Sequence, residues 1–129
     1  MKNINELFSY KDILPNTVKM PVLFLGHGSP MNAVEQNSYV SGWKMIGEHV
    51  PRPNAILVVS AHWLTEGTKV HVAKEPKTIH DFFGFPKELY EMTYPCPGSP
   101  LFAEATQELL LPIPVAADTQ WGIDHEIGR

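Results

Sequence analysis

The chain has 129 residues, of which 43% are hydrophobic and 19% are charged, and its formal net charge is −4. This length and composition predict one globular domain with a core of its own. The acidic balance and the lack of a lysine or arginine block argue against nucleic acid and anionic membrane surfaces as partners.

The first half of the sequence predicts a strand, a helix and a second strand. Residues 22–25 and 55–59 are short apolar runs, typical of strands buried on both faces. Between them, apolar residues recur at the three- and four-residue spacing of a helix face that prolines then end: Val40, Trp43, Ile46 and Val50, followed by Pro51 and Pro53. A βαβ unit implies a parallel sheet with a crossover connection.

The second half predicts a strand over 69–73 and another over 115–117. Between them, Ser99 and Pro100 suit the N-cap and first position of a helix whose predicted inward residues are Leu101, Phe102, Ala105 and Leu109. Residues 75–98 are too rich in proline, glycine and aromatic residues for a long regular element, and long loops of this kind are often functional. The expected fold is α/β, with a mostly parallel sheet and flanking helices.

A histidine directly follows each of the first two predicted strands. His27 lies between Gly26 and Gly28, and His62 ends the stretch SAH. Ligands of open parallel sheets bind outside the carboxyl ends of the strands, so imidazoles from neighbouring strands can reach one ion there. The sequence therefore predicts a metal site at this edge of the sheet, with the two glycines permitting a sharp turn around His27.

Other interpretations of these residues remain open at this point. Either histidine can be a hydrogen-bonded core residue or a solvent-facing loop residue. The Gly-His-Gly-Ser stretch also resembles a phosphate-binding loop or a serine nucleophile turn. The first lacks the lysine of a P-loop and the second lacks the glycine of the G-x-S-x-G pattern, since Met31 follows Pro30.

Four stretches together resemble one enzyme family. The sequences LGHGSPMNAV, SAHW, KTIHDFFGFPKELYEMTYPCPGSP and WGIDH occur in the order found in the DODA-type (4,5-DOPA) class III extradiol ring-opening dioxygenases. The similarity runs from about residue 21 to 125. It implies an α/β fold, a mononuclear non-haem metal site and the opening of a catechol ring by O₂, with a small aromatic diol as substrate.

The resemblance implies a role for several individual residues. His27 and His62 are similar to the first two metal ligands of the family, and His125 in WGIDH is similar to a catalytic histidine that contacts the substrate or oxygen. The residues expected to line the substrate pocket are Ser29, Phe82 and Phe83. Fe(II) is the metal expected for activity, and Zn(II) is the expected alternative bound metal because imidazole ligands suit both ions.

The remaining histidines and the cysteine are expected to have structural roles. His80 is interpreted as a loop histidine near the site, while His49 and His71 are assigned to surface or core packing. Cys96 has no partner for a disulfide within the chain and is interpreted as an inert thiol. The sequence has no apolar run of membrane-spanning length and does not begin like a secretory signal, so we expect a cytoplasmic protein.

The end of the sequence departs from the family pattern. Glu126 stands where the family continues from aspartate and histidine into glycine, and the chain stops at Arg129, whereas family chains continue. We expect residues 1–129 to form a single, incomplete extradiol dioxygenase-like domain, the N-terminal half, with little activity alone; a homo-oligomer is left open. The alternatives are a non-catalytic metal-binding or assembly fragment and a zinc-dependent hydrolase using Asp81 or Asp124, for which solvated loop or cap roles are simpler.

Overall fold

The computed structural model describes residues 16–26 and 28–125, and it has short helices and parallel strands. In chain order the elements are a 3-10 helix at Pro30–Ala33, α1 at Ser38–His49, β1 at Thr68–His71, β2 at Lys77–Thr78, α2 at Lys87–Glu91, α3 at Pro100–Leu109, β3 at Val115–Asp118 and β4 at Gly122–Ile123. Parallel strands flanked by helices confirm the predicted α/β class. Among the residues described, no helix has the length and apolar character needed to cross a membrane.

The four strands form two parallel pairs. β1 pairs with β3, and β2 pairs with β4, with Lys77 opposite Gly122. Backbone hydrogen bonds extend both pairs by one residue, from Val72 N to Asp118 O at 2.9 Å and from Ile79 N to Ile123 O at 2.7 Å. Because parallel strands share the edge at which they end, the residues after β2 and β4 are brought together.

Helix α3 connects the first strand pair as the crossover of a βαβ unit. It begins at Pro100, and the Ser99 side chain accepts a hydrogen bond from Phe102 N at 3.4 Å, as predicted for an N-cap. The helix packs on β1, and the Gln107 side chain donates to Val115 O at 2.7 Å. The predictions of this helix and of the strands on either side of it are confirmed.

The buried face of α3 agrees with the prediction at Ala105 and differs from it at the leucines. Ala103 and Ala105 are buried, while Leu101 and Leu109 keep 40% and 39% of their surface exposed, so the prediction of inward leucines is wrong. Small alanine side chains allow the helix to approach the strand pair closely, which turns the larger leucines toward the rim.

Helix α1 follows the predicted pattern. Asn37 caps it, because its side-chain oxygen accepts hydrogen bonds from Tyr39 N and Val40 N, both at 3.0 Å. The helix ends at His49, two residues before Pro51, and Val40 is its buried residue.

The two strands predicted at 22–25 and 55–59 are not strands in the structure, and this prediction is wrong. Neither segment belongs to a strand pair among the described residues. Their apolar side chains are exposed instead: Val22 by 99%, Phe24 by 101% and Val59 by 92%. A strand exists only when a neighbour takes up its backbone groups, and periodicity alone does not supply that neighbour.

The stretch 75–98 contains only β2 and the five-residue helix α2, as its composition predicted. Leu89 of α2 is buried and the helix contacts the 3-10 helix at Pro30–Ala33. This contact brings the segment that follows the Gly-His-Gly sequence beside the aromatic loop.

Candidate metal and substrate site

His62 is positioned by hydrogen bonds rather than by a strand. The backbone N of His62 donates to Ser60 Oγ at 3.1 Å, and the Ser60 hydroxyl donates to Asp124 Oδ2 at 2.6 Å. Asp124 is fully buried and also accepts from Trp121 Nε1 at 3.4 Å. The interpretation of Asp124 as a solvated loop residue is therefore wrong, because its carboxylate anchors the segment that carries His62 to the end of β4.

An aromatic stack joins the same two segments. Trp63 and Trp121 lie parallel, with ring centroids 6.1 Å apart and an interplanar angle of 10°. The rings of His62 and His125 meet edge to face, with centroids 4.2 Å apart. The sequences SAHW and WGIDH thus contact each other through their tryptophans and their histidines, and the histidines converge although no strand ends at His62.

Asp81 lies between the two histidines. Its Oδ1 accepts from His125 Nδ1 at 2.6 Å and from His125 N at 3.1 Å, and its Oδ2 is 3.3 Å from His62 Nδ1. Burial raises the pKa of Asp81, but the hydrogen bonds from the His125 side chain and backbone outweigh this effect, so the pKa lies below its ordinary value. Asp81 is therefore a carboxylate at neutral pH.

His62, Asp81 and His125 form a group that could hold a metal ion. Each offers one ligand atom, and these atoms lie within 4.8 Å of one another. The side chain of His62 is 36% exposed, that of Asp81 19% and that of His125 11%, so solvent reaches all three residues. Two imidazoles and a carboxylate are donors that suit Fe(II) and Zn(II) alike.

One of the two expected substrate-pocket phenylalanines lies beside the histidines and the other does not. Phe82 packs edge to face on His125, with centroids 5.6 Å apart, and also contacts Phe85 and Tyr90. Phe83 is 91% exposed. Gly84, which follows, has a φ of +79°, a conformation that favours glycine and turns the loop at this point.

A pocket lies beside this aromatic loop. Its lining comes from the 3-10 helix, from α2 and its flanks, and from the residues that end β2 and β4: Pro30, Ala33, Thr78, Ile79, His80, Phe82, Leu89, Met92, Thr93, Tyr94, Asp124 and His125. His80 lies within this wall, with Nε2 2.8 Å from Met92 O, a contact that ties the loop to α2. The pocket therefore has a mainly apolar lining that includes His125.

The other candidate residues that the structure describes do not belong to the group of His62, Asp81 and His125. Ser29 caps the 3-10 helix, accepting from Met31 N at 3.2 Å. His49 is exposed at the end of α1, and His71 ends β1 on the other strand pair. His27 lies outside the described residues, so its place at the site remains a prediction.

Asp81 is the site residue whose role the sequence interpretation missed. A signal for it is present, since TIHD at 78–81 and GIDH at 122–125 both set an isoleucine before a histidine and an aspartate. These two strings are the ends of β2 and β4, which pair side by side. Strands of two residues are too short to produce a periodic pattern, so periodicity does not reveal the pairing that brings Asp81 to His125.

The fold and the site define a class: α/β proteins with a histidine and carboxylate group at the ends of parallel strands. Comparison with known families makes the assignment specific. Residues 21–127 match the family model described as the catalytic LigB subunit of aromatic ring-opening dioxygenase. The chain belongs to this family, which confirms the resemblance found in its motifs.

Individual relatives agree with this assignment. The chain is 56% identical to a 4,5-DOPA dioxygenase extradiol of Escherichia coli (strain K12), over 89% of this chain and 43% of the relative. It is 39% identical to a protein of the same name from Beta vulgaris, over 79% of the chain and 40% of the relative. Dioxygenase tasH of Hapsidospora irregularis is 34% identical over 66% of the chain and 30% of the relative. The chain thus spans about two fifths of the length of the first two of these relatives.

Proposed function

We propose that the protein takes part in the metal-dependent, extradiol opening of a catechol ring by O₂. The observation that carries this proposal is the convergence of His62, Asp81 and His125 beside the aromatic ring of Phe82. Family membership supports it, since four relatives carry the name 4,5-DOPA dioxygenase extradiol. A catechol such as DOPA and O₂ are accordingly the proposed partners.

Fe(II) is the proposed working metal, with His27 and His62 as ligands. The donor types fit, because neutral imidazoles hold Fe(II) while leaving coordination positions for other molecules. When bound, Fe(II) supplies a centre at which a catechol and O₂ can exchange electrons. Zn(II) binds the same donors and is the ion expected to compete for the site.

The remaining site residues are proposed to act on the substrate. His125 is proposed to take a phenolic proton or to donate one to oxygen, since imidazole transfers protons near neutral pH. Phe82 is proposed to lie against the aromatic ring of the substrate, where an apolar pocket wall excludes water. Ser29 is proposed to contact the rim of the bound substrate.

Oxygen uptake with DOPA tests this function directly. The chain is loaded anaerobically with Fe(II), alone and joined to the part of the Escherichia coli relative that follows the matched region. We expect one O₂ consumed for each catechol, with a yellow ring-opened product that retains both oxygen atoms. The joined protein should be the more active form, because two histidines alone hold iron weakly.

His49→Ala is the matched control for His62→Ala, because His49 is an exposed histidine at the end of α1. We expect His62→Ala to lose ring opening and His49→Ala to keep it. A joined protein that holds Fe(II) but takes up no O₂ with any catechol would overturn the proposal, as would equal activity of the two variants.

A further inference from the structure

We propose that Asp81 is a positioning residue that holds His62 and His125 at once, each through Nδ1, so that both imidazoles present Nε2 to the metal and the substrate. The orientation of the two histidines is inferred from the contacts of Asp81. The effect of that orientation on metal binding and proton transfer rests on the proposed function. One carboxylate thereby orients both a metal ligand and an acid–base residue.

The two oxygens of Asp81 are divided between the two histidines. Oδ1 faces His125, which donates to it from both its ring and its backbone, at 2.6 and 3.1 Å. Oδ2 faces His62 Nδ1 at 3.3 Å. An ionised carboxylate only accepts hydrogen bonds, so the proton shared with Oδ1 is on His125 Nδ1, and a proton on His62 Nδ1 would face Oδ2.

The distances favour this arrangement over coordination of one ion by all three side chains. Ligand atoms bound to one ion at about 2.0–2.2 Å are separated from each other by roughly 3 Å or more. The 2.6 Å between Asp81 Oδ1 and His125 Nδ1 is instead that of a charge-assisted hydrogen bond. A nitrogen that carries this proton cannot bind a metal, and the lone pair of each neutral ring lies on Nε2.

The shared carboxylate also fixes the two rings relative to each other. They meet edge to face at an interplanar angle of 77°, with Asp81 in contact with the Nδ1 atom of each. Carboxylates that orient metal-bound histidines typically change metal affinity by about 10–100-fold when they are removed. Asp81 is therefore expected to affect metal affinity through His62 and proton transfer through His125.

The protonated nitrogen of each ring can be measured without metal or substrate. In long-range proton–nitrogen correlation spectra of the metal-free chain at about pH 8.5, where an ordinary imidazole is neutral, we expect His62 and His125 both to carry the proton on Nδ1. A spectrum showing Nε2 protonation of either ring in the unsubstituted chain would overturn the inference, and it requires no variant that might fold poorly.

Asp81→Asn gives a sharper expectation, because an amide has one accepting and one donating atom. Its oxygen should stay with the two donors of His125, and its NH₂ should face His62. We expect His125 to keep its tautomer, His62 to move its proton to Nε2, and Zn(II) affinity to fall by about 10–100-fold. Unchanged His62 tautomer and affinity would contradict the inference.

Glu91→Gln is the matched control, since it also converts a paired carboxylate to an amide, in an ion pair with Lys87 at 2.7 Å, and the Glu91 side chain is 60% exposed. It should leave the tautomers of His62 and His125 unchanged. The tautomer measurement uses neither metal nor O₂. Failure of this inference is therefore distinguishable from failure of the ring-opening proposal.

Discussion

Phe82 and Phe83 are adjacent residues of one type in different surroundings. Phe82 contacts His125, Phe85 and Tyr90, with centroids 5.6, 5.5 and 4.9 Å away. Phe83 is 91% exposed. The loop thus divides its phenylalanines between the site and the outer surface, which the motif DFFGFP alone does not indicate.

Because of this difference, replacing each phenylalanine with alanine should change the free energy of unfolding by unequal amounts. Phe82→Ala should lower the free energy of unfolding by about 2 kcal/mol, since it removes several aromatic contacts worth about 0.5–1.5 kcal/mol each. Phe83→Ala should change it by no more than about 0.5 kcal/mol, as is usual for exposed positions. Urea unfolding of the two variants measures this. Equal losses would show that the loop does not pack as described.

The sequence motifs predict several residues of the site but not the contacts that bring them together. The histidines at 62 and 125 and the phenylalanine at 82 stand in motifs that can be recognised singly. Their convergence depends on Asp81 and Asp124, and an aspartate in a sequence does not reveal whether it is buried. Burial of Asp124 follows from the Trp63–Trp121 stack and the Ser60 hydrogen bond, which are contacts between distant parts of the chain.

At the scale of elements, the pairing of β2 with β4 controls the position of His125. Gly122 in β4 lies opposite Lys77, and a Cβ on Gly122 would overlap the Lys77 carbonyl oxygen. No side chain larger than hydrogen fits there without moving the strand. The close approach of the two backbones explains why β4 begins with a glycine.

Gly122→Ala should therefore destabilise the fold and disturb the site. We expect a loss of about 1–3 kcal/mol in unfolding free energy, the usual cost of overpacking, and loss of the His125–Asp81 hydrogen bond. Gly42→Ala in α1 is the control, because nothing lies within 4 Å of its added Cβ and alanine favours helices by up to about 1 kcal/mol. Thermal unfolding compares the two, and a neutral Gly122→Ala would contradict the pairing.

The turn between β3 and β4 depends on Asp118. The backbone hydrogen bond from Trp121 lowers the pKa of this carboxyl, burial opposes that effect, and the backbone hydrogen bond from Gln120 lowers the pKa further, so it lies below the ordinary 3.8. A carboxyl whose pKa is lower in the folded state stabilises the fold above its unfolded pKa. This stabilisation is lost as the pH falls through the folded value.

Asp118→Asn should therefore cost stability at neutral pH but less in acid. The difference in unfolding free energy between the unsubstituted chain and the variant should be about 1 kcal/mol near pH 6, because the amide oxygen keeps both backbone hydrogen bonds but loses the charge that strengthens them. It should shrink as the pH falls below 3.8. Urea unfolding at several pH values measures the difference, and one that grows in acid would contradict the assigned direction.

The sequence predicts the capped helices and the strands β1 and β3 well, but it does not predict the two-residue strands or the lack of strand partners for two apolar runs. Capping residues and prolines mark α1 and α3, and both helices occur where those signals stand. The apolar runs at 22–25 and 55–59 favour strands locally but have no strand partner in the part of the chain that the structure describes. Conversely, β2 and β4 have two residues each, and they form strands because they pair with each other.

At the scale of the whole molecule, the interior is small and much apolar surface is exposed. The buried apolar residues among those described are Val40, Leu89, Ala103 and Ala105, whereas Phe24, Val59 and Leu64 are more than 90% exposed. The exposed residues lie on the segments leading toward and away from the motif histidines. The site is thus held by hydrogen bonds and aromatic contacts more than by a deep core.

The central claim is that His62 is a ligand of a metal site beside which Asp81 and His125 lie. Anaerobic titration of the chain with Fe(II), followed by calorimetry and metal analysis, tests it most directly, with His62→Ala compared against His49→Ala. We predict one bound ion per chain for the unsubstituted protein and for His49→Ala, and no stoichiometric binding for His62→Ala. Full binding by His62→Ala, or none by the unsubstituted chain, would contradict this account.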